Sequence, residues 1–511
     1  MPFYLIFADT DPSAMVEFGG LAMSGLSLLG SLFLFIVGLA VLAAIIMFVI
    51  DITQTKSAVR RNYPVIGRFR TVFSHLGEFF RQYFFALDRE EMPFNRAERQ
   101  WVDHVSVDGS DVVPFGSTKV LVAGTPVFAN GLFPKLEDDM PPKPDFIIGP
   151  QTRKPYKPGS LFNISAMSYG SLSKPAIQAL SHGAALSKSY LNTGEGGVSP
   201  YHLEGGCDVV YQLGTAKFGA RNADATLNED KLRKVCENPH IRMMEIKLSQ
   251  GAKPGKGGIL PGNKVTAEIA EIRGIEKGKS ALSPNRHVDA GTSEELLDLI
   301  HQVRDVSGLP TGIKLCVGQV GPLIDFMETI KTRGDHSAPD YIAIDGGDGG
   351  TGAAPLPLID NTGLTIRESL PLIDDLLREY GLRERVKIIA SGKLITSADV
   401  AWAFCAGADL VNNARGFMFA LGCIQALKCD KNTCPTGITT HNPRLQKGLD
   451  PENKAIRVHN YIKTIIKEVE IIAHACGVDE PRELQRKHLL IVQASGRSKP
   501  FDQVWDKSRY R

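Results

Sequence analysis

The sequence predicts an α/β fold, a (β/α)8 TIM barrel with an N-terminal transmembrane helix. From residue 160 onward, eight short β-rich runs alternate with helical patterns, the order expected of a parallel sheet built from βα units. These runs end in small or polar residues, as in barrels whose sites lie at the C-terminal ends of the strands. Ahead of them, Leu26 to Ile50 is a single uncharged apolar run.

Taken in chain order, that run comes first. It is long enough to cross a bilayer core of about 30 Å as a helix. A cleavable signal peptide would want a basic start and a shorter apolar stretch, whereas Asp9, Asp11 and Glu17 precede this one, so the anchor is expected to be retained. Lys56, Arg60, Arg61, Arg68 and Arg70 come soon after it, and by the positive-inside rule they place the rest of the chain in the cytoplasm. The protein is therefore expected to be a single-pass membrane protein with a cytoplasmic catalytic domain. The segment from 52 to 130, with Phe79, Phe80, Tyr83, Phe84 and Phe85, is too aromatic for a solvated linker. It is expected to pack beneath the catalytic body rather than lie on the membrane surface. The barrel then runs from 131 to 497, and 498–511 is a tail.

The candidate strands are Leu161 to Ala166, Tyr190 to Thr193, Asp208 to Leu213, Met243 to Leu248, Gly312 to Val317, Tyr341 to Asp345, Val386 to Ala390 and Leu410 to Ala414. Between the fourth and fifth, Thr292-Ser293-Glu294-Glu295 reads as a cap and first turn, with Leu296, Leu297, Ile300 and Val303 as an apolar stripe that Gly308 and Pro310 terminate. Ser397 is expected to cap the helix carrying Val400, Ala403 and Phe404, which Gly407 ends.

With 58 Lys+Arg against 56 Asp+Glu, the formal charge is +2, so there is no one-sign field to recruit nucleic acid. The loops after the strands are rich in glycine: SAMSYGS (165–171), NTGEGG (192–197), QGAKPGKGG (250–258), DGGDGGTG (345–352), ASGK (390–393) and NNARG (412–416). Glycine lets backbone approach a ligand and leaves amides for phosphate, and barrels commonly hold phosphate after the seventh and eighth strands, here at Gly392 and Gly416. Gly347 to Gly352 has the G-x-G-x-x-G spacing of a dinucleotide site, but Pro355 and Pro357 prevent the helix that such a site requires. The strongest chemical signal is Cys423, Cys429 and Cys434, spaced C-x5-C-x4-C-P. Soft thiolates in a cytoplasmic protein suit an iron–sulfur cluster; zinc, with His441 as a nearby extra ligand, is the alternative. Cys207, Cys236, Cys316, Cys405 and Cys476 are scattered and read as small core residues.

These motifs, in this order, carry a resemblance. From about 110 to 495 the chain resembles the central flavin domain of glutamate synthase, in the family of stand-alone FMN-binding glutamate synthase proteins. The resemblance implies FMN held by Met167, Ser168, Lys314, Gly346, Gly347, Gly392 and Gly416, with Lys314 at the isoalloxazine edge. It implies a [3Fe-4S] cluster on Cys423, Cys429 and Cys434, and an acidic-substrate pocket of Glu195, Lys253 and Arg273. Lys314 and Glu195 are the catalytic candidates. Lys253 and Arg273 match a dicarboxylate such as 2-oxoglutarate by charge. One departure stands out: the family places Gln after this glycine-rich loop where this chain has Ile259.

Met1-Pro2 leads straight to the anchor, so no amidotransferase domain opening on a nucleophilic cysteine is expected. Ammonia would come from solution or from an amidotransferase subunit, and with no pyridine-nucleotide domain evident, electrons would come from an external donor through the cluster. The implied reaction is reductive amination of 2-oxoglutarate. The alternatives are an FMN oxidoreductase on another small acid coupled to a membrane acceptor, and a membrane-tethered electron-transfer subunit with no substrate of its own. His287 is a further candidate proton donor, although a lone histidine is more often structural.

Overall fold

Eight parallel strands close into a barrel in a computed structural model that describes residues 12–54, 57–109, 112, 114–137, 140–141 and 145–510. The chain divides into two compact units, Met1–Arg96 and Ala97–Arg511.

In the first unit, α1 (Pro12–Thr53) is one continuous helix, and its stretch Met23–Thr53 is long and apolar enough to cross a membrane. Asp9, Asp11 and Lys56 lie outside the described residues. Asp51, in the last turn of α1, is fully buried: Arg68 grips its carboxylate with Nε and Nη2, both at 2.8 Å, and the Val65 amide donates to it at 3.0 Å. Those contacts fix a short turn built from α2 (Ala58–Asn62) and a single 3-10 turn, Ile66–Arg68, from which α3 (Phe69–Phe80) departs. A π turn, Arg81–Phe85, continues it. Within this unit the aromatic run forms no buried core. Phe73, Phe79, Phe84 and Phe85 are all exposed; Phe73 meets Phe69, Phe79 meets Tyr83 and Phe84, and Phe80 meets Phe84 and Phe85.

The second unit opens with α4 (Arg96–Ser106) and strand β1 (Pro126–Phe128). The barrel strands come next: β2 (Phe162–Ile164), β3 (Leu191–Asn192), β4 (Val209–Leu213) and β5 (Ile241–Lys247). A hairpin of β6 (Ile259–Leu260) and β7 (Ala281–Leu282) interrupts, before β8 (Thr311–Leu315), β9 (Tyr341–Asp345), β10 (Lys387–Ser391) and β11 (Leu410–Asn413) complete the circle. Neighbours run β2-β3-β4-β5-β8-β9-β10-β11, and β11 pairs back onto β2 through Val411 opposite Phe162. All eight candidate strands are present, shifted by at most a few residues. The sequence patterns do not announce β1, β12 (Leu489–Val492) and β13 (Ser498–Pro500), which form a separate antiparallel sheet. That sheet draws in the start of the expected tail, and Phe501 is buried just beyond it.

The helix from Ser293 to Ser307 forms as its sequence dictates. Thr292 Oγ1 accepts from the Glu295 amide, Glu295 reaches back to the Thr292 amide, and Gly308 ends the helix at φ +71°. Leu297, Ile300 and Val303 are buried, and so is Leu299. For the helix Ser397–Cys405 the cap is Thr396, one residue earlier than expected: its Oγ1 accepts from Asp399 N and puts Ser397 inside the first turn. After Gly347 to Gly352 no helix begins until Ile366, in keeping with the prolines between.

The barrel interior changes character along its axis. Its lower layers hold Tyr190, Val210, Met243, Tyr341 and Ile389, packed with Ile148 and Tyr156, which bridge to each other. Higher up the interior is polar and charged, carrying Asn192, Gln212, Glu245, Lys247, Lys314 and Asp345, all nearly buried. Burying such groups costs several kcal/mol each unless they find partners, so this layer must be internally paired or built for a ligand.

Candidate active site

Partners exist for most of the buried layer. Glu245 Oε1 accepts from Asn192 Nδ2 at 2.9 Å and from Gln212 Nε2 at 2.6 Å. Lys314, on β8, lies 3.6 Å from Asp345 at the end of β9. Asp345 is itself fixed by the Gly251 amide (3.0 Å) and Ser391 Oγ (3.1 Å). Burial opposes the Lys314 charge, but Asp345 and Glu245 outweigh it and hold its pKa above the ordinary lysine value, so the ammonium is kept at neutral pH.

A second charged group gathers around Glu195, in the short turn after β3. Lys247, at the end of β5, approaches it to 3.1 Å. Burial pushes the Glu195 carboxyl up, yet Lys247, Lys253 and Arg273 together bring it below the usual range. Glu195, Lys253 and Arg273 are thus drawn into one electrostatic cluster, as expected. Lys247 joins them, and nothing in its local sequence distinguishes it from any strand lysine. Lys253 is 3% exposed; burial first, and Lys247 second, lower its pKa to about 8 against the pull of Glu195. Arg273 closes a helix whose C-cap is Gly274, donates from Nη2 to the Tyr169 carbonyl at 3.1 Å and stacks over Phe218. Its Nε is buried without an acceptor among the described residues, and burial lowers its pKa to about 10. Gly258 packs directly on the Glu195 carboxylate, leaving no room for a side chain, and Ile259 comes next, half-buried at the start of β6.

The glycine-rich loops divide by what their amides do. Gly346 N donates to Ser391 O, Gly347 N to Leu364 O and Gly416 N to Asn413 Oδ1, so these three amides are already used. Gly392, at φ +125°, and its neighbour Lys393 have no acceptor for their amides among the described residues, and the same holds for Ala414 after β11. These free donors lie after the seventh and eighth barrel strands. The Ser165–Ser171 loop is held by Met167 N on Asn192 O, by His202 Nε2, which donates to Met167 O at 2.8 Å, and by Ser168 Oγ on Ser171 Oγ. His287 Nε2 donates to Lys247 O at 3.0 Å, and burial lowers its pKa to about 4; it is a neutral supporting residue at pH 7.

The cysteine loop is conformationally over-determined. Gln425, Leu427 and Asn432 all adopt positive φ, a costly state for residues with side chains. Each of Cys423, Cys429 and Cys434 lies within electrostatic reach of the others. Burial raises the Cys423 thiol to about 11, whereas at Cys434 the Thr436 hydroxyl, 3.3 Å from Sγ, helps to overcome burial and lower the pKa. Among the described residues no three His, Cys, Asp or Glu side chains close around a single ion. Two ties bind this loop to the Ser165–Ser171 loop. Lys264, nearly buried, donates to Ser171 O (2.8 Å) and Cys429 O (3.2 Å), and His441 Nε2 donates to Gly170 O (2.8 Å). Lys264 is the second lysine that sequence alone does not single out. Of the scattered cysteines, Cys207, Cys236, Cys405 and Cys476 are buried and Cys316 is half-buried.

Residues 133–479 match the conserved region in glutamate synthase. The chain is also 38% identical over 508 residues to the glutamate synthase large subunit-like protein YerD of Bacillus subtilis, covering 91% of this chain and 96% of that protein.

The chain belongs to the glutamate synthase family.

It is an oxidoreductase of the glutamate synthase type. Other family members are similar over a shorter stretch. The archaeal glutamate synthase [NADPH] of Methanocaldococcus jannaschii is 37% identical over 324 residues, 63% of this chain and 60% of its own length. The glutamate synthase [NADPH] large chain of Bacillus subtilis is 36% identical over 325 residues, which are 20% of that chain.

Proposed function

We propose that this glutamate synthase family member is an FMN and iron–sulfur oxidoreductase that reductively aminates 2-oxoglutarate to glutamate, with ammonia supplied from elsewhere and electrons from an external donor. The observation that carries this is the buried cationic cluster of Lys247, Lys253 and Arg273 around Glu195, at the end of the barrel where barrel enzymes work. Lys247 neutralises Glu195, which leaves Lys253 and the orphaned Arg273 Nε as cationic groups for the two carboxylates of a 2-oxo diacid.

The residues fit FMN. Free amides at Gly392, Lys393 and Ala414 suit its phosphate, and we assign Met167, Ser168, Gly346, Gly347, Gly416 and the Lys314 ammonium, which Asp345 fixes, to the rest of its site. When bound, FMN supplies hydride chemistry that accepts electrons one at a time. The three-thiol donor set of Cys423, Cys429 and Cys434, on one loop, suits a [3Fe-4S] cluster, whose irons take soft thiolate ligands. In the reaction, Lys314 stabilises negative charge, Lys253 and Arg273 orient the carboxylates, and Glu195, held ionised, keeps the cations in register. The assignment of α1 as a single-pass membrane anchor, with the barrel from 131 to 497 in the cytoplasm, belongs to the same proposal and rests on its length, its apolarity and the arginines behind it.

Ile259 favours one second reading, an FMN oxidoreductase acting on a different small acid, because the residue that follows Gly258, itself packed on Glu195, is apolar and offers no hydrogen bond to a polar substrate group. The test is anaerobic purification with assays for FMN, iron and sulfide, and then reoxidation of the reduced protein with a panel of 2-oxo acids, with and without ammonium. Ammonium-dependent reoxidation by 2-oxoglutarate supports the synthase; preference for another acid supports the second reading. Stoichiometric zinc without iron overturns the cluster.

A further inference from the structure

The face of α3 has no place in the chemistry above, yet among the described residues it is a continuous exposed apolar stripe. At the 100° per residue of a helix, Phe69, Val72, Phe73, Leu76, Phe79 and Phe80 fall within an arc of about 120°. All are more than 40% exposed. The opposite side carries Arg70, Thr71, Ser74 and His75, and the π turn continues the apolar face with Tyr83 and Phe84 while adding Arg81. A soluble helix would turn such a stripe inward.

We propose that α3 lies in the headgroup layer of the membrane that α1 crosses, with its aromatic face toward the acyl chains. This rests on the reading of α1 as a membrane span, and three observations select lipid as the occupant. First, α3 starts where α1 ends, because Asp51 in the last turn of α1 is clamped by Arg68, the residue immediately before α3, and by the Val65 amide. The helix therefore begins at the level at which the span leaves the hydrocarbon. Second, the face is built of phenylalanine and tyrosine with arginines at its flank, the composition of an interfacial helix. Third, Arg60, Arg61 and Arg70, whose charges Asp51 does not pair, lie at the same junction and complement anionic lipid. With twelve residues, α3 reaches only about 18 Å and is too short to cross.

The test uses full-length protein reconstituted in vesicles of phosphatidylcholine and phosphatidylglycerol whose acyl chains are brominated at shallow or deep positions. Phe73→Trp and Phe84→Trp report on the face, Ser74→Trp on its reverse and Leu34→Trp on α1, with the wild-type emission subtracted. Shallow bromines are expected to quench Phe73→Trp and Phe84→Trp about twofold or more, and Ser74→Trp far less. Unquenched emission from positions 73 and 84, whether red-shifted in water or blue-shifted against protein, overturns the proposal. Leu34→Trp separates the two claims: if it is quenched by deep bromines while 73 and 84 are not, the anchor stands and the interfacial helix falls; if it too is unquenched, both fall.

Discussion

Lys253 gives the account its sharpest quantitative test, since it is one of the two cations assigned to the substrate carboxylates and is buried with its ordinary pKa lowered to about 8. Replacing it by methionine keeps most of the side-chain volume and removes the charge. A charge-assisted contact of this kind contributes about 1.5–3 kcal/mol, so Lys253→Met is expected to raise the Kd for 2-oxoglutarate by roughly 10- to 150-fold at pH 7. The pH dependence has a definite sign. At pH 7 a group with a pKa of about 8 is about nine-tenths protonated, so wild-type binding is close to its maximum. Above pH 8 the ammonium is lost, and wild-type affinity should fall by up to about tenfold per pH unit until it reaches that of Lys253→Met. Lys253→Arg stays charged throughout, so whatever affinity it has should not show this fall. Anaerobic equilibrium titration without ammonium, from pH 6.5 to 9.5 at fixed ionic strength, reads all three proteins. A Kd for Lys253→Met within twofold of wild type, or a wild-type profile that is flat across pH 8, refutes the reasoning.

Other outcomes are set by particular contacts. A β-carbon at Gly416 would overlap Tyr461 Oη and Asn413 Oδ1, so Gly416→Ala is expected to cost about 1–3 kcal/mol and lower the denaturation midpoint measured by circular dichroism. Ile259→Gln, which puts a polar amide directly after the Gly258 that packs on Glu195, should tighten 2-oxoglutarate binding in the same titration. Cys429→Ser should abolish bound iron, measured by elemental analysis, while the far-ultraviolet spectrum of the barrel is unchanged.

The barrel is legible because its strands are short, β-branched and separated by helices with explicit caps; Thr292, Glu295 and Gly308 specify one such helix almost completely. Short pieces escape for the opposite reason. Pro126–Phe128 and Ser498–Pro500 contain proline and have no alternation, and they become strands only because Leu489–Val492 lies between them. The glycine loops announce a ligand-binding rim but not which amides are free, since the use of Gly346 and Gly347 depends on Ser391 and Leu364, which are distant in the chain. Lys247 and Lys264 are invisible for the same reason: one acts through Glu195, the other through Ser171 and Cys429, and no local spacing encodes either partner. The aromatic run after α1 is legible as no ordinary linker, but its exposure depends on how Arg68 and Asp51 place the start of α3.

The central claim is that this barrel joins nitrogen to 2-oxoglutarate, and a single-turnover experiment tests it most directly. Protein reduced anaerobically to completion is mixed with 2-oxoglutarate and isotopically labelled ammonium, and the quenched mixture is analysed by mass spectrometry. The account predicts labelled glutamate in an amount matching the flavin reoxidised, and none when ammonium is omitted. Flavin reoxidation without labelled glutamate, or no reoxidation by 2-oxoglutarate in a protein shown to hold FMN and iron, would contradict it.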